Sequence, residues 1–80
     1  MTDFTVERQV AEYGKYEYNF YLFIETEDQP IMSANTLERN GIEFEDVPNW
    51  TVALEKFGEF YVDCEDTTEA IRRTRDFYSQ

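Results

Sequence analysis

An α+β fold is predicted: a small, mainly antiparallel sheet of three or four strands packed against a C-terminal helix, with a second short helix around residues 49–57. Three observations predict it. Over residues 15–27, Tyr16, Tyr18, Phe20, Leu22 and Ile24 fall on one face, and Lys15, Glu17, Asn19, Tyr21, Phe23 and Glu25 on the other, the period of a strand. Asp66-Thr67-Thr68-Glu69 has an N-cap acid with a glutamate three positions on, the spacing of a capping box. Beyond it Ala70, Ile71, Thr74 and Phe77/Tyr78 recur at helical intervals.

Taken in order, Phe4 and Val6 alternate with Asp3, Thr5 and Glu7, which predicts a first strand within residues 2–10. Gly14 beside Lys15 marks a tight turn, so the first two strands form an antiparallel hairpin. Tyr21 and Phe23 make half of the second strand's outward face aromatic, and the C-terminal helix is expected to cover them. Glu27-Asp28-Gln29-Pro30 is a turn, with Pro30 ending the ladder. Residues 31–40 read in two ways. Either Ser33 caps a short helix through Leu37 and Arg39 that closes at Gly41, or a third strand runs from Ile31 to Thr36.

Ile42-Glu43-Phe44-Glu45 alternates as a short strand, stopped by Asp46-Val47-Pro48. Asn49 then caps a helix in which Trp50, Ala53, Leu54 and Phe57 share a face and Gly58 closes the last turn. A strand with Trp50, Val52 and Leu54 on one side matches fewer positions, although Trp50, Thr51 and Val52 are strong β formers. Phe60, Val62 and Cys64 alternate with Glu59, Tyr61, Asp63 and Glu65, which predicts a strand feeding the last helix.

Eighty residues suit one domain, 1–80, and 41% apolar residues with seven Phe and six Tyr can build its core. That aromatic content argues against disorder in spite of a net charge of −11. The charge is uneven. Residues 1–66 hold 16 acids and four bases, whereas residues 67–80 hold two acids and the three bases Arg72, Arg73 and Arg75. Direct binding to nucleic acid is disfavoured by this balance, and binding to a basic protein is favoured. Cys64 has no partner for an intrachain disulfide and reads as a small buried hydrophobe, in keeping with a cytoplasmic setting. The longest apolar run, Phe20–Ile24, falls far short of a membrane span.

The catalytic inventory is thin. Histidine is absent, and Gly14, Gly41 and Gly58 are isolated, so there is neither the usual general base nor a phosphate-cradling loop. Glu25/Glu27/Asp28 and Asp63/Glu65/Asp66 lack the spacing of a calcium loop. No enzymatic activity, cofactor or metal is expected.

What remains is the acidic surface. Residues two apart on a strand lie about 6.6 Å from one another, comparable to the interval between successive phosphates on one DNA strand. Glu43/Glu45 and Asp63/Glu65 are therefore candidate pieces of a carboxylate ladder, extended by Glu25, Glu27, Asp28, Glu38 and Asp46 where the turns converge. Tyr21 and Tyr61, beside acids on these faces, are candidate aromatic contacts for arginine. The expected partner is a basic nucleic-acid-binding protein, whose surface the chain would block; nothing points to a membrane, and a homodimer is compatible but not indicated. In size, charge and lack of catalytic equipment the chain resembles the small acidic proteins with which phages and mobile elements block DNA-binding enzymes, restriction and CRISPR complexes among them. That likeness covers no residue pattern and carries no residue roles over. The alternative expectation is a structural or regulatory module whose acidity serves solubility or a salt-rich host, for which the presence of only two lysines speaks.

Overall fold

The computed structural model describes residues 3–11 and 17–79, and its element order is three strands followed by three α-helices. Strand β1 (Phe4–Val10) pairs antiparallel with β2 (Tyr18–Ile24), and β2 pairs antiparallel with β3 (Met32–Ser33), giving the order β1-β2-β3. The register sets Phe4 against Ile24, Val6 against Leu22 and Arg8 against Phe20, so these residues share the face that meets the helices. Helices α1 (Ala34–Arg39), α2 (Trp50–Cys64) and α3 (Thr67–Tyr78) follow. The α+β class and the antiparallel three-stranded sheet are as the sequence predicts. The turn at Gly14 and the strand start at Lys15 and Tyr16 lie outside the described residues.

Both readings of residues 31–40 are realised in part. Met32 and Ser33 add two residues to the sheet, and Ser33 then caps α1 by accepting from the Thr36 N–H at 3.2 Å. Gly41 ends that helix with φ +96°, a left-handed conformation that glycine adopts without steric cost.

The helix at residue 50 is capped as read, with Asn49 Oδ1 accepting from the Val52 N–H at 2.9 Å. Its C-terminal boundary differs. Gly58 does not close it; α2 runs on to Cys64, through the whole stretch that alternates like a strand. The reason is that Trp50, Ala53, Leu54, Phe57, Gly58, Tyr61 and Cys64 continue one 3.6-residue stripe, which buries more than the Phe60/Val62/Cys64 alternation can. Val62, inward in the strand reading, is 46% exposed. The helix stops instead at Glu65, which takes φ 53° and donates its N–H to Tyr61 O at 2.7 Å.

A second expected strand is also replaced. Phe44–Asp46 is a 3-10 turn, with Asp46 N–H donating to Glu43 O at 3.0 Å. Ile42 is buried while Phe44 is 42% exposed, so the two do not share one strand face. The last helix is as read: Asp66 Oδ1 accepts from the Glu69 N–H at 3.0 Å, and Ala70, Ile71 and Thr74 are buried.

One hydrophobic cluster joins Leu22 and Met32 of the sheet to Ala34 and Leu37 of α1, Leu54 and Phe57 of α2, and Ala70 and Ile71 of α3. The sheet's principal cover is α2, which contacts both β1 and β2, while α3 packs chiefly on α2. This corrects the expectation that the C-terminal helix covers Tyr21 and Phe23. Those rings alternate with Leu22 and face away from the core cluster, half-buried among cross-strand neighbours such as Thr5, Glu7 and Ser33. Overall extents of 32 × 32 × 19 Å fit a sheet and a helical layer.

Candidate acidic interface

Hairpin register begins the site. Asp3 and Glu25 sit opposite one another just beyond the Phe4–Ile24 pair, joined by the Glu25 N–H donating to Asp3 O at 3.1 Å. Opposed residues on neighbouring strands hold their Cβ atoms about 5 Å apart, so two carboxylates here repel. A side-chain hydrogen bond to Asp3, with the nearby charge, raises the Glu25 pKa above its ordinary value. Two residues on, the β2–β3 turn brings Glu27 in, and the C-terminal end of α2 brings in Tyr61, Val62 and Glu65. Together they line a depression of about 330 Å³ with carboxylates on several sides. The left-handed turn at Glu65, required to reverse the chain between α2 and α3, aims this end of the helix at the hairpin.

Of the sequence candidates, Glu25, Glu27, Glu65 and Tyr61 therefore converge. Tyr61 is not on an outward strand face, however. It lies on α2, stacked on Phe57 with centroids 5.9 Å apart, and packs against the core cluster. Asp28 is exposed in the same β2–β3 turn without lining the depression. Glu43, Glu45 and Asp46 sit on the 3-10 turn before α2, at the opposite end of a 15-residue helix that is about 22 Å long. Tyr21 lies apart on the outer face of the sheet. Asp63 is exposed but takes an ion pair from Arg73 Nη1 at 3.6 Å.

The strand ladder proposed for Glu43/Glu45 and Asp63/Glu65 does not exist, because neither pair is in a strand. A helical ladder takes its place. Glu55, Glu59 and Asp63 recur every four residues on the exposed side of α2, each step rising about 6 Å. Glu55, Glu59 and Asp3 were not among the sequence candidates. The four-residue acid spacing was the available signal for the first two, and the hairpin register for Asp3.

Positive charge on the described residues is largely engaged within the fold. Arg72 pairs with Glu69 and Asp76, Arg73 with Glu69 and Asp63, and Lys56 with Glu59 at 3.2 Å. Arg75 Nη1 donates to Asn40 O at 3.2 Å, tying α3 to the end of α1. The basic C-terminal segment thus serves the helix packing more than it offers a cationic surface.

Among the described residues, no group of three or more His, Cys, Asp or Glu side chains is placed to hold a metal ion, and no helix is long and apolar enough to cross a membrane. Cys64 is half-buried at the end of α2, with Sγ 3.5 Å from Asp66 O. No known protein family, curated protein or solved structure matches the chain.

Proposed function

We propose that the protein is a non-enzymatic acidic inhibitor that occupies the basic nucleic-acid-binding surface of a partner protein and keeps DNA or RNA from it. The observation that carries this reading is the convergence of Asp3, Glu25, Glu27 and Glu65 around Tyr61 in one depression. Asp3 beside Glu25 disfavours the Glu25 carboxylate, and a lysine or arginine entering between them relieves it. Glu55, Glu59 and Asp63 repeat along the exposed side of α2 at intervals comparable to those of a phosphate backbone, with Glu59 and Asp63 each sharing its charge with a neighbouring cation, Lys56 and Arg73. The setting that fits is the cytoplasm of a host cell, with a phage or mobile element as the source and a DNA-binding defence complex as the target.

The test is capture from host extract followed by competition with duplex DNA. Binding should weaken steeply with salt, and the triple change Glu25→Gln, Glu27→Gln, Glu65→Gln should reduce association without unfolding the protein. Arg73→Gln, which frees Asp63 from its ion pair, should preserve or improve it. Association indifferent to salt and to the carboxylates would return the acidity to the second reading, a solubilising surface. The scarcity of lysine favours that reading in a salt-rich host, and it predicts a domain that loses stability as salt is withdrawn.

A further inference from the structure

At the far end of α2 from the acidic depression, the hairpin, the 3-10 turn and the start of α2 line a groove of about 430 Å³. Its lining includes Arg8 and the four rings of Tyr18, Phe20, Phe44 and Trp50, with Glu17 at the side. Phe44 and Trp50 lie tilted with centroids 5.7 Å apart, and Tyr18 and Phe44 are each more than 40% exposed. The acids Glu43, Glu45 and Asp46 flank Phe44 on the 3-10 turn and are all exposed.

We infer that this groove receives an arginine side chain from the basic partner, an inference that rests on the function proposed above and names a second contact point for it. Two observations select the occupant. The first is charge: among the described residues Arg8 is the single cation of the lining, against Glu17, and the adjoining 3-10 turn adds three exposed acids, so a cationic side chain is attracted and an anionic ligand repelled. The second is the groove's own chemistry. The Arg8 guanidinium already lies 4.6 Å from the Tyr18 ring centroid, so a planar cation resting on an aromatic face is a geometry this wall supports. An arginine, planar and weakly hydrated, suits a slot of rings better than the compact ammonium of lysine. With the acidic depression about one helix length away, the partner would be held at two points, which fixes orientation as well as charge.

Trp50 is the only tryptophan in the chain, so its emission reports the groove directly. The probes are capped tetra-arginine and tetra-lysine peptides, titrated into the full chain with Trp50 fluorescence and calorimetry read in parallel. Tetra-arginine should change the emission, bind more tightly than tetra-lysine, and lose about 3- to 30-fold in affinity in Phe44→Ala. Glu17→Gln, at an exposed position, should weaken it in the same direction and serves as the second variant should Phe44→Ala disturb the fold. Equal affinity for the two peptides, or tetra-arginine binding that leaves Trp50 and both variants unaffected, overturns the arginine slot. If that same binding falls in the Glu25/Glu27/Glu65 variant, the acidic-inhibitor reading survives the loss of the slot. Failure of both cationic peptides to bind at low salt overturns the two together.

Discussion

The Phe4 ring lies where a side chain on Gly58 would begin: a Cβ on Gly58 would stand 3.0 Å from Phe4 Cε1 and Cζ. This contact seats β1 on the middle of α2, and it explains a glycine inside a 15-residue helix. Alanine there would favour the helix by about 1 kcal/mol on propensity alone but would have to displace the ring. Gly58→Ala should therefore leave stability unchanged or lower in the natural background and raise it by about 0.5–1 kcal/mol when Phe4 is alanine. Urea melts of the double-mutant cycle measure the difference. The same effect in both backgrounds would show that the ring does not constrain the site.

Core and surface on the helical layer should separate cleanly. Ile71 is 9% exposed in the shared cluster, so Ile71→Ala should lose about 2–4 kcal/mol through lost transfer energy and a residual cavity. Val62→Ala, at a position 46% exposed, should change stability by less than about 0.5 kcal/mol. A strand with Val62 buried would give a large loss there, so the pair of variants also tests the extent of α2.

Asn19 makes a connection between sheet and helix that its polar-face position conceals. Its Oδ1 accepts from the Phe20 N–H at 3.0 Å and from the Asn35 N–H in the first turn of α1 at 3.1 Å, and the residue is 5% exposed. Helix N-termini leave N–H groups without intrahelical partners, so β2 here completes the capping that Ser33 begins. Asn19→Ala should cost about 1–3 kcal/mol by stranding that donor. Gln9→Ala, on the exposed cross-strand neighbour, should be near neutral.

These cases show where sequence was sufficient. Signals confined to one turn of chain were readable: Ser33, Asn49 and Asp66 all cap as their spacing predicts, because an N-cap bond spans only three residues. Signals that depend on what lies opposite were not. Phe60, Val62 and Cys64 satisfy a two-residue period, and the same segment satisfies a 3.6-residue period through Phe57, Tyr61 and Cys64; what decides between them is the sheet and core that the helical stripe packs against, Phe4 over Gly58 among them. The acidic site was legible as a quantity of charge but not as a place. Glu25, Glu27 and Glu65 meet because hairpin register and the left-handed turn at Glu65 bring distant segments together, while Glu43, Glu45 and Asp46 are carried to the other end of α2.

Acid should weaken the α3 surface network. Hydrogen bonds from Arg72 and Arg73, with their charges, hold Glu69 below its ordinary pKa. A lowered folded value means that the native state favours the carboxylate, so this contribution is present above the unfolded pKa of about 4.3 and is lost as pH falls through the folded one. Glu69→Gln should flatten the acid limb of the stability profile, with little salt-independent loss at neutral pH because the group is only half-buried. An unchanged acid limb would remove Glu69 from the groups that set it.

Glu25 carries the opposite sign. Its folded pKa is raised by the hydrogen bond to Asp3 and the charge beside it, so the native state holds its proton more tightly than the unfolded chain does. Where both states are ionised that pair disfavours the fold; acidification through the raised folded pKa relieves it, and the difference vanishes below the unfolded one. Asp3→Asn should return the Glu25 titration, followed by carboxyl carbon NMR, to the ordinary glutamate range, and should raise stability at neutral pH. A basic side chain bound in the depression should do to Glu25 what Asp3→Asn does, lowering its pKa, because a nearby cation favours the carboxylate. Partner association at a pH just above the ordinary glutamate range should therefore release protons, and calorimetry in two buffers of different ionisation enthalpy counts them. Glu25→Gln should abolish most of that release. Proton uptake on binding, or a release that persists in Glu25→Gln, would place the cation elsewhere than between Asp3, Glu25 and Glu65.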